Sequence, residues 1–95
     1  MIMDIERRCV TIRGQIIELT QKEYMILELL MTHQDKVFTK ANLYESIWED
    51  RYLGDDNVIK AHMSHLRNKL KKANPKTQYI ETVWGLGYRL YKNRS

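Results

Sequence analysis

Hydrophobic and polar positions change their period twice along this chain. Residues 2–5, 9–12 and 15–19 show partial apolar/polar alternation rich in β-branched side chains. A period of two places one set of side chains on a common face, as a half-buried strand requires. Glu6-Arg7 and Arg13-Gly14 fall where turns belong, and Gly14 reaches positive φ at little cost. A small antiparallel sheet is expected over residues 1–19. Thr20-Gln-Lys-Glu23 then has the form of a capping box, in which hydroxyl and carboxylate satisfy each other's orphan backbone donors. The run Tyr24-Met-Ile-Leu-Glu-Leu-Leu-Met31 is apolar nearly all round. Such a helix has to be buried on more than one side, between the sheet and other helices.

Gln34-Asp-Lys36 reads as a connector, and Thr39 as the start of a second helix. Leu43 and Ile47, with Tyr44 and Trp48, form its apolar stripe at helical spacing. Residues 49–56 make an acidic, glycine-containing loop, longer than the tight turn of the simplest helix-turn-helix units. A third helix opens near Asp55 to Asn57 and runs to about Ala73, where Asn74-Pro75 stops it. The tail alternates again over residues 79–84 and 88–91 around Gly85-Leu-Gly87, the pattern of a β-hairpin. The order is sheet, three helices, hairpin, an α+β arrangement. Ninety-five residues suit one domain spanning 1–95. Its parts are a sheet at 1–19, a three-helix core at 20–73 and a hairpin at 78–91.

Charge sharpens this picture. Residues 1–56 carry 7 Lys/Arg against 11 Asp/Glu, whereas residues 57–95 carry 9 against the single acid Glu81. The overall +4 therefore conceals a cationic second half, which suits a polyanionic partner. Within it, Asn57-Val-Ile-Lys-Ala-His-Met-Ser-His-Leu-Arg-Asn-Lys-Leu-Lys71 contains no acid at all. At about 100° per residue, Ile59, Met63, Leu66 and Leu70 fall on one buried stripe. Asn57, Ala61, Ser64, His65, Asn68 and Lys72 face the other way. Lys60, Arg67 and Lys71 flank one side, and Val58, His62 and Lys69 the other. A DNA major groove admits one such helix, with outward side chains at base edges and flanking cations at phosphates. Asn is suited to adenine and Ala61 to a thymine methyl. A solvated surface helix shows lysines outside and leucines inside as well, so the charge split and the hairpin carry much of the weight.

Other chemistries find less support. His62 and His65 have a spacing that can ligate metal, but no third ligand is evident and the surroundings are cationic. No metal or cofactor is expected. Cys9 is the only cysteine, so no internal disulfide is possible; its expected place is a half-buried strand position. No nucleophile–base–orienter set, phosphate loop or carboxylate cluster suggests an enzyme. The aromatic stacking sheet of single-strand RNA binders is missing. No apolar run approaches the roughly 20 residues needed to cross a bilayer. The charged start does not suit a signal peptide, so a cytoplasmic location is expected.

Three separated features coincide: Thr20-Gln-Lys-Glu23 before a buried helix, His62-x-x-x-Leu66-Arg67-x-Lys69-Leu70 within the third helix, and Thr82-Val-Trp-Gly-Leu-Gly-Tyr-Arg89. Together they resemble the C-terminal effector domain of OmpR/PhoB-type two-component response regulators, over residues 5–90. The resemblance implies a winged helix-turn-helix whose third helix enters the major groove and whose hairpin wing touches the adjacent minor groove or backbone. It implies sequence-specific double-stranded DNA binding and transcriptional regulation. Recognition positions are then Asn57, Val58, Ala61, His62, Ser64, His65 and Arg67, matching the helical phase. Lys60, Asn68, Lys71 and Lys72 stand beside them, with Thr82 and Trp84 on the wing's near side.

Some relatives carry an arginine where Trp84 stands, and arginines where Ser64-His65 stand. Trp84 is expected to pack under the wing or lie against a sugar–phosphate edge. Arg89 has two expected roles, a phosphate contact or a surface salt bridge. Base readout then leans more on phosphates and DNA shape. The loop with Trp48, Glu49, Asp50, Arg51, Tyr52, Asp55 and Asp56 corresponds to the family's surface for RNA polymerase. The resemblance also implies a second copy on direct-repeat half-sites. A receiver domain and a sensor kinase would act from outside these residues. The alternative is a winged-helix protein-interaction module working through the 48–56 loop and wing, with exposed Trp48, Tyr52 and Trp84 as anchors.

Overall fold

A computed structural model of the chain describes residues 1–91; Lys92 and Arg94 of the cationic half lie outside the described residues. Strands β1 (Ile2–Asp4), β2 (Cys9–Ile12) and β3 (Gln15–Ile17) form an antiparallel sheet in the order β1-β2-β3. Helices α1 (Gln21–Thr32), α2 (Lys40–Trp48) and α3 (Asp56–Ala73) follow, then the hairpin β4 (Ile80–Val83) and β5 (Gly87–Leu90). The element order matches the sequence reading, with trimmed ends. Ile5 and Leu19 fall outside their strands. Gly87 joins β5, and Trp84 drops into the turn between β4 and β5.

Local chemistry explains the boundaries. Val10 pairs with Met3 and Ile17 across the sheet, and Val10 and Ile12 turn inward with almost no exposure. Arg13 and Gly14 both take positive φ, 54° and 79°, at the β2–β3 turn. This is the pairing of left-handed residues that two-residue hairpins favour. Cys9 is free and half-buried on β2. Thr20 and Glu23 close the expected capping box at α1, while Thr39 and Asn42 close a second at α2. Asp55 caps α3 by accepting from the Asn57 N–H at 3.1 Å. The helix ends before Asn74, whose N–H returns to the Leu70 carbonyl at 3.0 Å.

One apolar cluster joins all these elements. Ile26, Leu27 and Leu30 of α1 are fully buried, as an all-round apolar helix demands. α1 packs against α3, α2 and β5. Ile59, Met63, Leu66 and Leu70 are buried together, so the phase assigned to α3 holds. No helix among the described residues is long and apolar enough to cross a membrane.

The connector between α1 and α2 does more than the sequence shows. Phe38 exchanges two backbone hydrogen bonds with Tyr88 of β5: its N–H donates at 2.7 Å and its carbonyl accepts at 2.9 Å. Both side chains are buried. The hairpin is thereby fastened to the helical body by its inner strand. A single residue pair makes this bridge, too short a span to leave any alternation in the sequence.

Candidate nucleic-acid interface

The solvent side of α3 and the hairpin enclose an open cleft of about 730 Å³. Lys60, Ser64, Arg67 and Asn68 line it from the helix, and Thr82 and Trp84 from the wing. Its floor includes Thr39 and Lys40 at the start of α2. Lys40 reaches Asp56 at 3.9 Å, linking the first turns of α2 and α3. Sequence spacing gave no sign that Lys40 belongs here, because only the packing of α2 against α3 brings it to the cleft.

The residues proposed from helical phase divide into two groups. Asn57, Lys60, Ala61, Ser64, His65, Asn68, Lys71 and Lys72 are exposed, forming a continuous polar and basic surface. Val58, His62 and Arg67 are half-buried and engaged within the protein. His62 Nδ1 lies 2.8 Å from the Val58 carbonyl, and its ring meets Trp48 edge-on at 4.9 Å. No group of three His, Cys, Asp or Glu among the described residues is placed to hold a metal.

Arg67 acts as a strut between helix and wing. One guanidinium nitrogen donates to the Ile80 carbonyl at 3.2 Å and to Thr82 Oγ1 at 2.6 Å. The guanidinium also lies 5.5 Å from the centre of the Tyr88 ring. Burial lowers its pKa from the usual arginine value, with Tyr88 opposing that shift. Arg67→Ala is expected to cost about 1–2 kcal/mol and to speed amide exchange in β4 relative to α1. Arg67→Lys should not restore protection, since an ammonium lacks the flat guanidinium face that lies over the Tyr88 ring. Native-state hydrogen exchange measures both, and unchanged β4 protection would contradict the strut role.

A second tie sets the pitch of α3. Glu23 is almost completely buried, and its Oε1 accepts from the Thr20 N–H at 2.9 Å and from Lys69 Nζ at 2.6 Å. Burial alone raises the carboxyl's pKa. The Lys69 and Thr20 hydrogen bonds outweigh it, so the net shift is downward. The capping box was legible in the sequence, but its second function was not. Lys69 reaches across 46 positions to the same carboxylate.

Two expectations about aromatic side chains are corrected. Trp84 does not pack under the wing: β4 ends at Val83, and the indole stands 89% exposed at the turn. Trp48 and Tyr52 are not exposed anchors; both are half-buried. Trp48 stacks on Tyr44 with centroids 5.3 Å apart, and Tyr52 meets Tyr44 edge-on at 5.8 Å. Apolar rings brought together by α2 and the loop lower their exposure by covering one another. The loop instead presents Leu53, 84% exposed, beside exposed Glu49, Asp50, Arg51 and Asp55. Arg89 takes the salt-bridge role, with Nε 2.7 Å from Glu81 Oε2.

Known proteins share this architecture. The family described as transcriptional regulatory protein, C terminal, matches residues 14–90. The transcriptional regulatory protein YcbL of Bacillus subtilis (strain 168) is 39% identical over 90 residues, covering 95% of this chain and 40% of that protein. The regulatory protein VanRc of Enterococcus gallinarum is 36% identical over 92 residues, covering 97% of this chain and 40% of that protein. The chain thus spans about two fifths of the length of these relatives. Among solved structures, the DNA-binding domain of the response regulator AdeR, in complex with an intercistronic region, superposes with a TM-score of 0.79 at 30% identity. That match covers 93% of this chain and 88% of the AdeR domain. By sequence and by fold, the chain belongs to the transcriptional regulatory protein C-terminal family, the OmpR/PhoB-type winged-helix domains.

Proposed function

We propose that this domain binds double-stranded DNA in a sequence-specific manner and regulates transcription as the output domain of a two-component response regulator. The observation that carries the reading is the exposed face of α3, free of acids from Asn57 onward, opening with the wing onto one cleft. A helix of this width fits the major groove, where Asn57, Ala61, Ser64, His65 and Asn68 reach base edges. Lys60, Lys71 and Lys72 then lie at the phosphates. Arg67 and the Glu23–Lys69 pair position the reading elements, and His62 braces α3 on Trp48. The domain needs no cofactor for this work and acts in the cytoplasm, as a binding module with no catalytic step. Selecting duplexes from a random pool, followed by fluorescence anisotropy, tests it. Absence of a preferred site and of salt-sensitive affinity would overturn it.

Pairs of this domain are proposed to occupy direct-repeat half-sites. The same selection checks that, because a recovered site without a repeat argues against pairing. A receiver domain and its sensor kinase are proposed to act through sequence beyond these residues, since the relatives are longer. Phosphorylation of the full-length protein should then raise its affinity for the selected site.

RNA polymerase is the proposed partner of the 48–56 loop. The motivation is Leu53 held out among Glu49, Asp50 and Asp55, an apolar point in an acidic rim. Leu53→Ser together with Asp50→Asn is expected to reduce transcription from the selected site severalfold while leaving duplex affinity unchanged. In vitro transcription alongside anisotropy separates the two. A joint loss of both would argue against this division of labour.

A further inference from the structure

A second cavity, of about 440 Å³, shares Arg67 alone with the cleft between α3 and the wing. It lies between the last turns of α3 and the entry to β4, lined in part by Leu70, Lys71, Pro75, Lys76, Thr77 and Tyr79. No Asp or Glu among the described residues lines it, and none of the ion pairs among them engages Arg67, Lys71 or Lys76. Its polar groups have hydrogens to give. Asn74 Nδ2 donates to Thr77 Oγ1 and to Tyr79 Oη at 3.1 Å each, so each hydroxyl retains its own hydrogen. Arg67 meets Ile80 and Thr82 through one terminal nitrogen, which leaves the N–H groups of Nε and of the other. We propose that this cavity binds a small phosphomonoester and that its occupancy weakens duplex binding, the second half resting on the duplex-binding reading above.

A wall of donors that carries three cations suits a ligand that only accepts and is itself negative. Near neutral pH a phosphomonoester has a charge of about −1.5 to −2 and three acceptor oxygens, whereas a carboxylate has one charge and two oxygens. Leu70, Pro75 and the Tyr79 ring offer an apolar side to the organic part. The volume falls within the range of about 300–1,000 Å³ common to small-molecule sites. The carbonyls that end α3 oppose an anion, but Lys71 and Lys72 in that last turn offset them. Arg67 and two lysines link the cavity to the duplex. A bound phosphate draws the guanidinium away from Thr82, its partner on the wing at 2.6 Å. It also takes Lys71 and Lys76 from the backbone phosphates they would otherwise meet.

Phenyl phosphate, with inorganic phosphate and phenol as its two parts, tests this on the whole 95-residue chain at constant ionic strength. Amide NMR should show saturable shifts at Thr77, Gln78 and Tyr79 with phenyl phosphate, weaker binding of inorganic phosphate and none of phenol. Lys76→Gln is expected to weaken phenyl phosphate binding about tenfold, and Thr77→Val about fivefold. Saturating phenyl phosphate should lower wild-type affinity for a duplex recovered from the random pool about tenfold. Thr77→Val without phenyl phosphate should bind that duplex as the wild type does. Shifts that never saturate, or that phenol reproduces, would overturn the anion site. Saturable shifts with no change in duplex affinity would overturn the coupling to the wing. If Thr77→Val loses affinity for phenyl phosphate and for the duplex alike, the cavity holds a backbone phosphate and the small-ligand proposal falls. A wild type that binds phenyl phosphate but shows no salt-sensitive duplex binding removes the DNA reading and leaves the anion site standing.

Discussion

Raising monovalent salt from 50 to 200 mM should weaken duplex binding by the wild-type domain by about 500-fold. Each phosphate neutralised releases condensed counterions and contributes about −0.9 to the slope of log affinity against log salt. About five contacts therefore give a slope of −4 to −5. Candidates for these contacts are visible: Lys60, Lys71, Lys72 and Lys76 are exposed on or just beyond α3, and Lys40 stands at the cleft. Three cations that simple counting would include are committed elsewhere, Arg67 to the wing, Lys69 to Glu23 and Arg89 to Glu81. Neutralising Lys60, Lys71 or Lys72 to Gln should each flatten the slope by about 0.9, whereas Lys69→Gln should act through the placement of α3 instead. Anisotropy titrations at four or five salt concentrations measure this directly. A wild-type slope shallower than about −2 would mean that α3 does not lie along the phosphate backbone.

Gly87→Ala should destabilise the domain by about 3 kcal/mol, combining overpacking with backbone strain. A Cβ at this position meets the Phe38 carbonyl oxygen at 2.0 Å, its carbon at 2.8 Å and Thr39 Cα at 2.8 Å. All three are backbone atoms, so no side-chain rotation relieves the clash. The φ of 157° adds a conformation unfavourable to L side chains. Relief requires Phe38 and Tyr88 to part, which breaks both bridging hydrogen bonds and loosens two buried aromatic rings. For a domain of this size the melting temperature should fall by about 15 °C. Gly14→Ala is the comparison: it also has positive φ, but nothing lies within 4 Å of its Cβ. Its cost should be about 1 kcal/mol. Urea and thermal melts of the two variants test the difference. Equal, small losses would show that the Phe38–Tyr88 bridge does not hold the wing.

Much of the frame was legible because its causes are local. The Thr20–Glu23 capping box marks the start of α1, and Thr39 that of α2. Asn74-Pro75 stops α3, and Arg13-Gly14 turns the first sheet. The outward set of α3 follows from its period alone, since a rigid helix converts spacing directly into direction. Where a flanking residue of α3 proved half-buried, the reason lay in another element. His62 is covered by Trp48 of α2, and Arg67 by the hairpin.

Trp84 shows the opposite failure. Its place in an alternating run suggested a packed strand residue, yet the strand ends one position earlier and leaves it at the tip. The aromatic trio Tyr44, Trp48 and Tyr52 likewise gave up exposure only once the loop folded back on α2.

The amino-acid order by itself determined the helices and turns, the buried stripe of α3 and the cationic surface opposite it, because hydrophobic period and capping chemistry act within a few residues. Tertiary structure alone decided which cations are free, how α3 is pitched, and where the wing tip points. Those outcomes depend on Glu23 meeting Lys69, Arg67 meeting Thr82, and Phe38 meeting Tyr88. These partners lie from 15 to 50 positions apart along the chain, and only the packing of the common core brings them together.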